Sequence, residues 1–200
     1  ISCSLVGSEM CIRDRNMLNS MIHVTNALKA VGVDIKKKVF NEIHENLGGS
    51  LKYIVSAAAP IDAKIGNWIE DIGIIFLQGY GLTETAPIAA LTPEFDAKIG
   101  SAGKAVVGAE LKINNPNENG EGEILIKSQT LMLGYYEDED ATNKVIKTVD
   151  GERWFYSGDI GYLDDEGFLY ITGRCKNVIV TQNGKNIYPV SYTHLTLPTT

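Results

Sequence analysis

Apolar positions along the chain fall into short blocks whose spacing changes character near residue 86. From Asn16 to about Gly32, Met17, Met21, Val24 and Leu28 recur at intervals of three and four, which predicts a helix. A second helix is expected over residues 35–46, with Val39, Ile43 and Leu47 on one face and Gly48-Gly49 ending it. Lys36-Lys37-Lys38 falls in its first turn, where the helix dipole disfavours cations, and reads as a solvated face rather than a binding patch. Residues 51–55 predict a strand, 56–60 (SAAAP) a small-residue loop, 62–71 a helix, and 72–77 a short buried strand. Strand, helix, strand in that order is a parallel crossover unit.

Past residue 86 the blocks shorten. Strands over 99–114 and 121–133, split by Gly103, Gly108, Pro116 and Asn119-Gly120, predict a small antiparallel barrel, with 121–127 its clearest strand. Residues 138–146 should form a short helix with an acidic cap, and 154–156 a strand. Hairpin strands at 161–163 and 168–172 should meet at the Asp164-Asp165-Glu166-Gly167 turn. The expected fold class is α/β: part of a parallel-sheet α/β subdomain over 16–98, followed by a β-barrel subdomain over 99–173.

Neither end follows these patterns. Residues 1–15 (ISCSLVGSEMCIRDR) show no helical or strand period, and 190–200 (VSYTHLTLPTT) begin abruptly after a well-patterned segment. Both strings resemble translated sequencing-adaptor read-through, so both are expected to be non-native extensions, a pair of ordinary disordered termini being the alternative. On that expectation Cys3, Cys11 and His194 carry no meaning, and Cys175 is the natural cysteine. The cysteines form no disulfide framework or metal-ligand spacing, which points to a reducing cytoplasm.

Composition narrows the function. Two hundred residues with 44% hydrophobic content suffice for one or two cores. A net charge of -7 argues against nucleic acid as a partner, yet leaves room for one bound nucleotide. No apolar run approaches the roughly 20 residues of a membrane span, so any membrane contact would be peripheral. The first residues also lack a basic start followed by an apolar stretch, the pattern of a secretory leader.

The candidate chemistry centres on Gln78-Gly79-Tyr80-Gly81-Leu82-Thr83-Glu84-Thr85. Two glycines bracketing a tyrosine are expected to break the preceding strand and let backbone approach a ligand. Thr83 can donate to a phosphate oxygen, and Glu84 can hold a hard cation such as magnesium. That order suits a nucleotide phosphate at the carboxyl end of a strand; a polar turn capping a helix fits these eight residues equally well. The 56–60 and 78–84 loops should leave the same sheet edge, where Ala57 to Ala59 leave either space for a flat ring or tight helix-on-sheet packing. Ser157-Gly158-Asp159 is expected at a strand end, Asp159 being either an acceptor for two ribose hydroxyls or a turn cap. Arg174 is either a donor fork for sugar or phosphate, or one half of a surface ion pair.

The motifs SAAAP (56–60), QGYGLTET (78–85), GEILIKSQTLMLGYY (122–136), WFYSGDIGYLDDEGFLYITGR (154–174) and KNVIVTQNGKNIYP (176–189) together resemble the AMP-forming acyl-CoA synthetases of the adenylate-forming superfamily. The wording of the last segment is most like bacterial long-chain fatty-acid–CoA ligases. The resemblance implies that Ala58, Ala59 and Pro60, with Gly79 and Tyr80, line an adenine slot, with Gln78 and Gly81 beside them. It implies that Thr83 binds the α-phosphate, Glu84 ligates magnesium, Asp159 holds the ribose hydroxyls and Arg174 contacts the ribose. Thr83 and Glu84 are the implied catalytic pair. Lys176 would be the hinge, and Gly184 would approach CoA. The implied cofactors and substrates are ATP or AMP, Mg2+, CoA and a fatty acid. Residues 174–189 would be the hinge and start of a C-terminal α+β domain. The family's phosphate loop ending in lysine, and its C-terminal adenylating lysine, have no counterpart in these 200 residues. On that resemblance the sequence is an internal fragment, and the 200 residues by themselves are expected to be inactive. An aryl- or amino-acid-activating ligase and a non-catalytic nucleotide-binding module are the alternative readings. GSAGKAVVG (100–108) departs from the family's usual GxVGKPxPG, with Ala105 and Val107 where prolines are common.

Overall fold

The computed structural model describes residues 5–57, 61–175, 179–180 and 186–187, with side chains placed over 16–57 and 61–175. Contacts divide the chain into two units, Ile1–Ile54 with Ile61–Phe76, and Val55–Pro60 with Leu77–Thr200.

The first unit contains α1 (Leu5–Ala30), α2 (Lys36–Val39), α3 (Asn41–Asn46), α4 (Ala63–Asp71) and the openings of β1 (Tyr53–Ser56) and β2 (Ile75–Tyr80). Helix α1 begins at Leu5, well before the expected Asn16. Leu5, Glu9, Met10, Arg13 and Arg15 are good helix formers, and propensity carries a helix where no apolar stripe exists to reveal it. Its inner face is also rotated from the expected one: Ile22 and Thr25 are buried, whereas Met17 and Val24 are exposed. Polar residues are tolerated inside because Thr25 donates to its own helix at Ile22 O (3.0 Å) and Asn26 donates to Asp71 (2.8 Å).

The single helix expected over 35–46 is two helices broken at Phe40, whose ring enters the core. That break turns His44 inward and leaves Leu47 exposed. Lys36 departs from the expected solvated face: it is 4% exposed, its ammonium donates to Glu70 O (3.0 Å), and Asp71 lies 3.9 Å away. Burial, with Lys29 as a like-charged neighbour, holds its pKa below the ordinary lysine value. Lys37 and Lys38 remain exposed. His44 Nε2 lies 2.9 Å from Ile72 O; because a carbonyl only accepts, that nitrogen carries the proton. The core gathers Ile22, Phe40, Ile69, Ile72, Ile74 and Phe76.

Helix α4 starts where the sequence places it, capped by Asp62 accepting from Lys64 N (2.8 Å). Gly73, at φ +88°, follows its cap and packs against Lys36, so β2 opens at Ile75 instead of residue 72.

The second unit holds the remaining strands. β1 neighbours β2, and β2 pairs antiparallel with β3 (Ala90–Leu91), which pairs with β4 (Lys104–Ala105). A five-stranded antiparallel sheet follows: β5 (Ala109–Asn114), β6 (Gly122–Ser128), β8 (Glu152–Leu163) and β7 (Ile146–Val149), with β9 (Leu169–Arg174) also on β8. No ladder among the described residues closes this sheet into a ring. The expected acidic-capped helix is α5 (Glu139–Val145), with Asp138 accepting from Ala141 N (2.8 Å). β10 (Ile179–Val180) pairs antiparallel with β11 (Asn186–Ile187). Ile124, Ile126 and Phe155 on the inner sheet face pack with Tyr80, Ala90 and Leu169 to form this unit's core. Among the described residues, no helix is long and apolar enough to cross a membrane.

Candidate functional site

The QGYGLTET stretch does not break its strand where the glycines suggest. β2 continues through Gly79 and Tyr80, which pair with Leu91 and Ala90. The partner strand lies ten residues later in the chain, and its ladder overrides the local preference of glycine for turns. Gln78 is fixed by Thr92, whose hydroxyl donates to Gln78 O (2.8 Å) and accepts from Gln78 N (3.1 Å). Gln78 Oε1 is buried and has no hydrogen-bond partner among the described residues. The turn comes at Gly81. A Cβ there would collide with Pro87 O and stand 2.8 Å from Ile88 Cα, so only glycine lets the chain pass.

Thr83–Thr85 then form one 3-10 turn. Thr85 closes it, donating to Leu82 O (2.9 Å) and accepting from Leu82 N (3.2 Å). Thr83 is exposed, and among the described residues its hydroxyl has no partner, leaving it free to donate outward. Glu84 accepts at Oε1 from the Tyr135 hydroxyl (2.8 Å).

Asp159 lies mid-strand, not at the strand end that the sequence suggested. Leu125 faces Tyr156 and Glu123 faces Ile160, so β8 carries two residues more than β6 across this step. Ser157, Gly158 and Asp159 make up that bulge, with Gly158 at φ +71°. Side chains hold it open: Ser157 donates to Ile124 O (2.7 Å), Glu123 accepts from Gly158 N (3.1 Å), and Asp159 N donates to Ser157 Oγ (3.1 Å).

The bulge aims the Asp159 carboxylate at two partners. Tyr80 donates its hydroxyl to Oδ2 (2.8 Å), and Arg174, directly opposite on β9, donates from Nε to Oδ1 (2.9 Å). Burial and the adjacent Asp159 charge push the Tyr80 phenol well above its usual pKa, so it stays a donor. Asp159 is 5% exposed, whereas the Arg174 side chain is 65% exposed and lies over it. Each carboxylate oxygen keeps a second lone pair, so the pair still has acceptor capacity once the guanidinium shifts.

Thus Tyr80, Asp159 and Arg174, far apart in the chain, meet at one place. Thr83 and Glu84 follow on the turn after Gly81. Ala58, Ala59, Pro60, Lys176 and Gly184 lie outside the described residues. Sequence reasoning assigned no role to Tyr135 or Ser157. The glycine–tyrosine pair 134–135 echoes 79–80, but no local spacing links residue 135 to residue 84.

The donor set fits the groups that the resemblance implies. Glu84 is half-buried, one of its oxygens meets only a neutral donor, and among the described residues no cation neutralises it. Among the described residues, no three or more acidic, His or Cys side chains are placed together so as to hold a metal ion, so a metal at Glu84 would complete its shell with water and phosphate oxygens, as magnesium does.

Residues 14–136 match the model of the AMP-binding enzymes, a match that stops short of Asp159. A long-chain-fatty-acid–CoA ligase of Mycobacterium bovis is 38% identical over 162 residues, 81% of this chain and 26% of the ligase. A long-chain-fatty-acid–CoA ligase of Rattus norvegicus is 38% identical over 133 residues, 66% of this chain and 18% of its own length. The chain therefore spans about a quarter or less of the curated relatives it matches. Among solved structures, the o-succinylbenzoate–coenzyme A synthetase of Bacillus subtilis in complex with AMP aligns with TM-score 0.63 at 30% identity, covering 78% of this chain and 33% of that one. A fatty acyl CoA synthetase of Mycobacterium tuberculosis aligns with TM-score 0.57 at 32% identity, covering 76% and 32%. A family model that takes in more than half of the 200 residues, and relatives that are acyl-CoA ligases, place the chain in the AMP-binding enzyme family.

Proposed function

We propose that these residues form the nucleotide half of an ATP-dependent acid–thiol ligase that activates a long-chain fatty acid as its acyl-adenylate and passes it to CoA. The observation that carries the reading is the buried Asp159 carboxylate set between Tyr80 and Arg174, with Thr83 and Glu84 on the turn that follows Tyr80 in the chain. Asp159 would accept the two ribose hydroxyls and Arg174 would contact the sugar. Ala58, Ala59, Pro60, Gln78, Gly79, Tyr80 and Gly81 would border the base, and Thr83 would donate to the α-phosphate. Glu84 would hold Mg2+, which neutralises charge as the α-phosphate is attacked and pyrophosphate leaves. No protein nucleophile is needed, because the acid carboxylate attacks phosphorus directly and the CoA thiol later displaces AMP. Lys176 would be the pivot between the two steps, and Gly184 would face CoA. A cytoplasmic setting suits these soluble co-substrates.

The test is ATP–pyrophosphate exchange by the full-length protein carrying these residues, run against fatty, aryl and amino acids. Long-chain fatty acids should support exchange, and Asp159→Ala should abolish it. Exchange driven by an aryl acid alone would move the substrate assignment toward the o-succinylbenzoate-type neighbours. AMP binding without exchange for any acid would leave a nucleotide-binding module.

A further inference from the structure

Glu84 is gripped from one direction. The 128–135 segment makes three bonds to the 83–85 turn: Thr130 Oγ1 to Thr85 O (2.8 Å), Met132 N to Glu84 O (2.8 Å) and Tyr135 OH to Glu84 Oε1 (2.8 Å). That segment is itself held from behind. Arg153 donates to Met132 O (3.2 Å) and Leu133 O (3.1 Å), and Tyr135 N donates to Thr142 Oγ1 (2.8 Å) on α5. Gly134 permits the approach, since a Cβ there would stand 2.9 Å from both Thr142 Cγ2 and Oγ1. The backbone that carries the Tyr135 ring is therefore held by contacts of this chain alone, and the hydroxyl's partner is Glu84. That hydroxyl occupies one Glu84 oxygen and leaves Oε2 without a hydrogen bond among the described residues. A glutamate has three rotatable bonds, so a neutral donor on one oxygen selects the rotamer in which the other is presented.

We propose that Tyr135 is a positioning residue that orients Glu84 to present Oε2 to a divalent cation, with Arg153 and Thr142 fixing the segment that carries it. The inference rests on reading Glu84 as the metal ligand, and the experiment separates the two. Mn2+ binding is followed by electron paramagnetic resonance in the full-length protein carrying these residues, saturated with ATP and without acid substrate. Tyr135→Phe keeps the ring and should weaken Mn2+ binding about tenfold, in the range seen for outer partners of metal ligands. Metal-free ATP affinity and melting temperature should stay unchanged. Thr142→Val, which removes the hydroxyl holding Tyr135 N–H, should produce a smaller loss in the same direction. In Glu84→Gln the Tyr135→Phe change should add nothing, because the two act on one oxygen pair. If Glu84→Gln binds Mn2+ normally, Glu84 is not the ligand and both readings fall. If Glu84→Gln weakens binding and Tyr135→Phe does not, the positioning role alone is overturned. Equal losses of metal-free ATP affinity and Mn2+ affinity in Tyr135→Phe would make its role structural and also overturn the proposal.

Discussion

Asp159 carries two duties that substitutions can separate. Asp159→Asn keeps an acceptor for the Tyr80 hydroxyl but removes the charge that faces Arg174 and the proposed ribose. AMP affinity in titration calorimetry should fall about 10- to 100-fold, as expected for hydrogen bonds to a charged acceptor, while the melting temperature moves little. Asp159→Ala leaves a buried phenol hydroxyl without its acceptor and should cost a further 1–3 kcal/mol, approximately, of stability in denaturant unfolding. An Asn variant that binds AMP normally would remove Asp159 from the sugar site. Gly81 is constrained by space rather than charge. Gly81→Ala pushes a methyl into Pro87 O and should destabilise by about 2 kcal/mol, read from the denaturant midpoint. An unchanged midpoint would mean that the 81–88 segment gives way freely.

At the level of elements, the β8–β9 hairpin has an acid-sensitive lock. Asp164 accepts from Glu166 N (3.0 Å) and Phe168 N (2.9 Å), and Lys98 bridges Asp164 (2.7 Å) and Glu166 (2.8 Å). Lys98, before the backbone donors, holds the Asp164 pKa below its ordinary 3.8. A depressed carboxyl pKa contributes stability that is present above the unfolded value and lost as pH falls through the folded one. Melting temperature between about pH 5 and pH 2 should therefore drop more steeply in the natural chain than in Lys98→Met. Parallel slopes would show that this ion cluster contributes nothing.

The same hairpin shows what the sequence could and could not reveal. Its turn was legible because Asp164 to Gly167 follow local turn chemistry, as was α5, whose Asp138 cap is a neighbour of the helix it starts. The fusion of 154–156 and 161–163 into one twelve-residue strand was not, because the bulge that joins them depends on Glu123 and Ile124 from β6. Likewise Gly79 and Tyr80 read as a strand break until β3 supplies their partners. Lys36 read as a solvated cation until Glu70 and Asp71 arrived from α4. The candidate site divides the same way. Its residue types and order were legible, whereas the contacts Tyr80–Asp159, Asp159–Arg174 and Tyr135–Glu84 bridge distant parts of the chain and leave no local period.

On the scale of the whole molecule, the two units differ in what they contribute. The first is a helical layer with its own core and the buried Lys36, and the second carries all the described candidate site residues. On the family resemblance, a lysine-ended phosphate loop and an adenylating lysine are expected outside these residues, and the 200 residues alone should then give no fatty-acid-dependent ATP–pyrophosphate exchange. Exchange at a rate approaching that of the full-length protein would show that these residues suffice for adenylation. AMP binding is a different matter, since its proposed contacts are mostly here. The 200 residues should bind AMP more weakly than the full-length protein, and Asp159→Asn should weaken both.

The bulge at Ser157 to Asp159 has a consequence for how occupancy of the site can be followed. The amides of Gly158 and Asp159 are held by the Glu123 and Ser157 side chains rather than by a neighbouring backbone. A rotamer change is enough to free them, whereas amides elsewhere in β8 need the sheet to part. Their hydrogens should therefore exchange with deuterated solvent far faster than those of Phe155 or Gly161 on either side. A sugar seated on the Asp159 carboxylate would hold that side chain and its strand still, slowing two amides in the middle of an otherwise silent sheet.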